Sequence, residues 1–236
     1  MPNNAKNANF EFVSQFLQEN AEPDYRDFSA GLVPGCEEML GVRIPKLRAL
    51  AKQICKQDFR AFLTDYHKQY FEDTMLHGLV LAGAKMPMEE RLQWLADFLP
   101  QINNWSICDC TSTTFNLKQP AEAAQMYAFL LSHSQNPLPY ARRFVLVMLL
   151  AHYLQPQYLA DILRLLEEVP GNDYYVNMAK AWLLATLFVK YREEGLAYLQ
   201  NSRLDDFTYN KSLQKILESR RMLPEDKELI RSMKRK

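Results

Sequence analysis

"YLADILRLLEEV", residues 158–169, places Leu159, Ile162, Leu163 and Leu166 at the i, i+3, i+4, i+7 spacing of an α-helix with one apolar stripe. A half-buried strand would alternate apolar and polar residues instead. The helical spacing recurs in "FEFVSQFLQ" (10–18) at Phe10, Val13, Phe16 and Leu17, and in "RLQWLADFL" (91–99) at Leu92, Leu95, Phe98 and Leu99. No Val/Ile/Thr-rich alternating stretch competes with it. Ten prolines, at 34, 45, 87, 100, 120, 137, 139, 156, 170 and 224, fall between the striped segments, where they read as loop or first-turn residues. The expectation is an all-α chain of about 12–14 helices, each of roughly 10–18 residues, with short connections. No linker divides it, so residues 1–236 are expected to form a single domain.

Hydrophobic residues make up 48% of the 236, enough for a sizeable core. Lys+Arg and Asp+Glu both number 28, and the formal net charge of zero argues against bulk attraction to nucleic acid. Charge is nevertheless uneven. From Lys211 to Lys236 nine Lys/Arg stand against four Asp/Glu, a basic tail that is either a solvated helix with a frayed end or a phosphate contact. Cys36, Cys55, Cys108 and Cys110 show no CxxC spacing, and His67, His77, His133 and His152 do not bracket them in a zinc pattern. Free thiols, no secretory signal and no apolar run long enough to span a bilayer point to a cytoplasmic protein without a metal. No GxGxxG, P-loop, GxSxG or HExxH element is present, so neither a nucleotide cofactor nor hydrolase chemistry of the usual kinds is expected.

Three stretches hold candidate chemistry. In "NNWSICDC" (103–110) Trp105 and Asp109 are four residues apart and would share one helix face. Asp109 either bonds the hydroxyls of Thr111, Ser112 or Thr113, or faces solvent, or acts as a functional acid that stabilises a developing cation or orients a water. Arg142 and Arg143 precede the apolar run 144–151; they snorkel to the surface, which the residue pattern favours, or make bidentate contacts to phosphate or carboxylate. In "NDYYVNMAKAWLLATLFVKY" (172–191) Asn172 or Asp173 can cap a helix whose Tyr174, Tyr175 and Trp182 are either core or site residues. Asp109 to Arg143 spans 34 residues and Arg143 to Trp182 spans 39, near the roughly 40-residue period of HEAT repeats. Residues one repeat apart line the same face of a curved α-solenoid of antiparallel helix pairs, which would put all four residues on one concave groove.

An ordered set of motifs resembles the AlkD-like DNA alkylation repair family, HEAT-like-repeat proteins that include alkylpurine DNA glycosylases. The set runs from "GVRIPKLRALAK" (41–52), a Gly-x-x-x-Pro-x-x-Arg segment, through "NNWSICD" (103–109), "RRFVLVMLL" (142–150) and "YYVNMAKAW" (174–182) to "LDDFTYNKSLQKILES" (204–219). It covers the chain from about Tyr25 to its end. The resemblance implies hydrolysis of the N-glycosidic bond of cationic N3- or N7-alkylated purines in double-stranded DNA, without base flipping. It implies Asp109 as the catalytic acid, Trp105 and Trp182 as aromatic walls, and Arg143 on the DNA backbone. Tyr175 joins the candidate substrate contacts, and Arg142 and Lys180 the candidate backbone contacts. The family's pattern has Lys four residues before the second tryptophan and Arg three after it, where this chain has Met178 and Ala185. A monomer without cofactor is expected. The alternatives are a non-catalytic protein that binds DNA structures and a protein-interaction scaffold.

Overall fold

The computed structural model describes residues 4–36, 38–65 and 67–236; residues 1–3 of the expected domain lie outside them. Fourteen α-helices and no strand are found among the described residues. They fall into two compact units, residues 1–126 and 127–236.

The first unit holds α1 (Asn4–Glu19), α2 (Pro23–Leu32), α3 (Ile44–Ile54), α4 (Phe59–Asp65), α5 (Phe71–Gly83), α6 (Met88–Phe98) and α7 (Trp105–Ser112). The division falls within α8 (Pro120–Ser132). The second unit continues with α9 (Pro139–His152), α10 (Leu159–Glu168), α11 (Tyr174–Lys190), α12 (Arg192–Asn201), α13 (Asp206–Glu218) and α14 (Asp226–Ser232). Prolines open α2, α8 and α9, stand second in α3 and form the N-cap of α6, where the missing N–H costs no helical hydrogen bond.

Packing alternates. In the first unit α5 contacts both α3 and α7, and in the second α11 contacts both α9 and α13. Neighbours in sequence also pair, α5 with α6, α11 with α12 and α13 with α14. Helix pairs whose alternate members stack on one another are the construction of an α-solenoid. The central helix α5 is accordingly buried over twelve of its 13 residues, and α11 over ten of its 17. The stripe of residues 158–169 needs one correction: Leu159, Ile162 and Leu166 are buried, but the fourth is Leu165, and Leu163 is only half-buried.

Two local devices fix the elements that carry the candidate site. Gly41 adopts φ +89°, and a Cβ there would come within 2.4 Å of the Glu22 carbonyl oxygen, so glycine is required. The loop around it is held by Glu72, a buried carboxylate on α5 that accepts from the backbone N–H of Leu40, Gly41 and Val42 at 3.0, 2.7 and 3.0 Å. This anchors the entrance to α3. At Gly78 of α5 an added Cβ would meet Thr111 Oγ1 at 2.1 Å, so the absent side chain is what lets α7 lie close against α5.

The C-terminal segment is not frayed. Arg235 stacks on the Tyr209 ring at 3.8 Å, and its guanidinium donates to the carbonyls of Leu204 and Ser202, both at 2.6 Å. Its backbone N–H donates to Asn210 Oδ1 at 3.0 Å, and Asn210 Nδ2 returns a bond to its carbonyl. One of the expected phosphate-facing cations is thus spent on holding the end of the chain.

Candidate functional site

In the first unit the site is built on α7. Asn104 caps the helix, its buried side-chain oxygen accepting from the Ile107 N–H at 3.0 Å. Trp105 is therefore the first helical residue and Asp109 lies one turn on. Both are half-buried, whereas Ile107, Cys108, Thr111 and Ser112 on the opposite side are buried toward α5. The shared face read from the sequence is present. The Trp105 ring is also held from outside its own helix, because its Nε1–H donates to the Leu32 carbonyl at the end of α2, 3.0 Å away.

Two of the three hydroxyls offered by the sequence as partners for the Asp109 carboxylate donate to backbone carbonyls of α7. Thr113 Oγ1 donates to the Asp109 backbone carbonyl and Ser112 Oγ to that of Cys108, each at 2.7 Å. Thr111 Oγ1 is buried beside Gly78 without a hydrogen-bond partner among the described residues.

A residue not chosen from the sequence also reaches α7 and the turn after it. Arg48, on α3 at the end of the Gly-x-x-x-Pro-x-x-Arg segment, donates from Nη1 to Thr114 Oγ1 at 2.6 Å. Burial pushes the Cys110 thiol above its usual range, the Arg48 charge opposes that shift, and the Asp109 charge reinforces it. Arg48 and Asp109 therefore both lie close to Cys110. The signal was available in the spacing of Gly41, Pro45 and Arg48, but which side of α7 the arginine would reach depends on how α3 and α7 flank α5.

In the second unit Asp173 caps α11, accepting from Tyr175 N–H at 2.9 Å and Val176 N–H at 3.3 Å. Arg142 and Arg143 do not snorkel to the surface; each is 6% exposed. Arg143 Nη1 donates to the Tyr175 carbonyl at 2.6 Å. Arg142 donates to the Asn136 carbonyl at 3.3 Å and Asn172 Oδ1 at 3.2 Å, and its Nε has no partner among the described residues. Lys180 is 3% exposed; burial lowers its pKa, opposed by the charges of Asp205 and Glu167 and reinforced by Arg142. A direct phosphate contact from these three side chains would require them to leave protein surroundings.

Phe188 of α11 is buried in the core, but the three aromatic residues singled out from the sequence lie toward its outer side. Trp182 is 36% and Tyr174 55% exposed, and Tyr175 is half-buried, with its ring centroid 5.8 Å from that of Tyr140. Met178 and Thr186, one turn either side of Trp182, are also partly exposed. Trp182 lines a surface groove of about 810 Å³ together with residues from the end of α13.

Among the described residues no group of three His, Cys, Asp or Glu side chains could hold a metal ion, and no helix is long and apolar enough to cross a membrane. No curated protein matches the sequence. The model of a family described as DNA alkylation repair enzyme matches residues 13–227, which takes in every residue placed above on α3, α7, α9 and α11. By that match, over an all-α chain of stacked helix pairs, the protein belongs to the DNA alkylation repair enzyme family.

Proposed function

We propose that the protein is a DNA glycosylase that hydrolyses the N-glycosidic bond of cationic N3- or N7-alkylated purines in double-stranded DNA, working as a cytoplasmic monomer. The observation that carries this reading is the partly exposed Asp109 carboxylate one turn from Trp105, whose ring is fixed by its bond to Leu32.

Alkylation places a positive charge on the purine, so the base leaves as a neutral molecule with the electrons of the C1′–N bond and needs no proton from the protein. Positive charge passes to the deoxyribose as an oxocarbenium ion. A carboxylate fixed beside that carbon stabilises the charge as it develops and orients the water whose oxygen bonds to C1′ while its proton passes to solvent or the carboxylate. Trp105 offers a π face to the cationic nucleotide and keeps bulk water away. Trp182 and Tyr175 on α11 offer further π faces to the nucleic acid, and contacts to phosphate fix position without reading sequence. The nucleotide stays stacked, in contrast to base-flipping enzymes. Arg142 and Lys180 support α11 from within, in keeping with their burial.

A second reading, a DNA-binding protein without base release, draws on the uncharged Met178 and Ala185 beside Trp182. Incubation with methylated duplex DNA separates the two. The proposal expects release of 7-methylguanine and 3-methyladenine and none of neutral hypoxanthine; DNA binding with no release favours the second reading.

A further inference from the structure

The exposed cations of the second unit lie elsewhere than at Arg142, Arg143 and Lys180. The groove beside Trp182 is walled on its other side by Lys215 on α13 and by Arg220 and Arg221 in the turn that follows. Both arginines are exposed and Lys215 is half-buried. None of the three forms an ion pair among the described residues, whereas Arg164, Arg192 and Arg235 of the same unit all do. The two other charged residues of the groove are already engaged: Lys190 Nζ donates to the Leu154 carbonyl, and Glu218 accepts from Gln214 at 2.7 Å. Ala185, buried on the α11 wall, adds no bulk.

We propose that this groove is a phosphodiester subsite for one strand of DNA, with Lys215, Arg220 and Arg221 on the phosphates and the Trp182 indole against the adjoining sugar and base. The inference rests on the DNA-binding reading above and names the residues that carry its electrostatics. Guanidinium groups match phosphate oxygens with two parallel N–H donors, and lysine adds a mobile point charge. A partly exposed tryptophan beside such a row is the pairing by which proteins hold a nucleotide strand without reading its sequence, since every base has a π face and every linkage a charge. The net charge of the chain is zero, so the attraction has to be local, and this groove is where unpaired cations gather around an aromatic surface.

The test measures binding of the full chain to a labelled DNA duplex over a range of salt concentrations. The variants are Lys215→Ala/Arg220→Ala/Arg221→Ala, the charge-keeping Arg220→Lys/Arg221→Lys, and Trp182→Ala. Each phosphate contact contributes about 0.9 to the slope of log K against log salt, so the triple alanine variant should lose roughly 2–3 units of slope. Its melting temperature should stay near that of wild type. The lysine variant should keep most of the slope, and Trp182→Ala should weaken binding at unchanged slope. Wild-type slope and affinity in the triple variant would overturn the subsite and leave the DNA reading standing. Failure of the wild type itself to bind DNA at low salt would remove both. Displacement of DNA by poly-glutamate at matched charge concentration would overturn the subsite in favour of an acidic protein partner.

Discussion

An aspartate on a partly exposed helix face is ordinarily a solvated charge. Asp109 differs in its company, with Trp105 one turn before it and the Arg48 guanidinium reaching Thr114 and the neighbourhood of Cys110 from α3. Arg48→Ala removes the bond to Thr114 and a cation near Cys110. The expected loss is about 1–2 kcal/mol, read as a fall in the denaturant midpoint, with Arg48→Lys recovering only part because it lacks the planar fork. His77, deep in α5, makes a second prediction. Burial, with Lys68 adding to it, lowers its pKa from 6.5 to about 3, and its ring stacks on Phe98 at 5.1 Å. The folded protein holds His77 neutral where the unfolded chain would protonate it. Stability from this residue is therefore complete above pH 6.5 and is lost as pH falls from 6.5 toward 3, at no more than about 1.4 kcal/mol per pH unit. Melting curves from pH 7 to pH 4 should be flatter for His77→Phe than for wild type; parallel curves would contradict the assignment.

At the scale of elements, α7 is positioned by its cap and by one missing side chain. Asn104→Ala removes the acceptor for Ile107 N–H and should cost about 1 kcal/mol, with Asn104→Asp close to wild type. Gly78→Ala would ordinarily favour a helix by about 1 kcal/mol. Here the new methyl runs into Thr111 Oγ1, so the net change should be a destabilisation of roughly 1–3 kcal/mol. Adding Thr111→Ala removes the obstructing oxygen and a buried hydroxyl without a hydrogen bond, and should restore part of the loss in thermal melts. A double variant no more stable than Gly78→Ala alone would place the conflict at Phe98, whose ring carbons lie 3.0–3.1 Å from the same point.

At the scale of the whole molecule, helical periodicity and proline placement were sufficient for the fold class, because an apolar stripe at 3.6-residue spacing leaves few alternatives. They were not sufficient for the width of each stripe, which is why Leu165 rather than Leu163 is buried in α10. The face shared by Trp105 and Asp109 was legible because it depends on four residues of one helix. Arg142 and Arg143 were misread toward the surface because their burial is compensated by the Asn136 and Tyr175 carbonyls and the Asn172 side chain, acceptors that their own segment does not reveal. Trp182 and Tyr174 were open to a core or a site reading, and only packing between helices leaves them exposed. The Gly41 turn, the Glu72 clasp and the reach of Arg48 all depend on contacts between separate helices.

The central claim, that the Asp109 charge drives glycosidic cleavage, is tested most directly by comparing wild type and Asp109→Asn on 7-methylguanine-containing duplex DNA under single-turnover conditions, with DNA affinity measured alongside. The substitution keeps size and much of the hydrogen bonding but removes the negative charge. Affinity should be kept, or tighten as repulsion with phosphate is relieved, while base release falls by about 10²-fold or more. Equal release by the two proteins would contradict the claim.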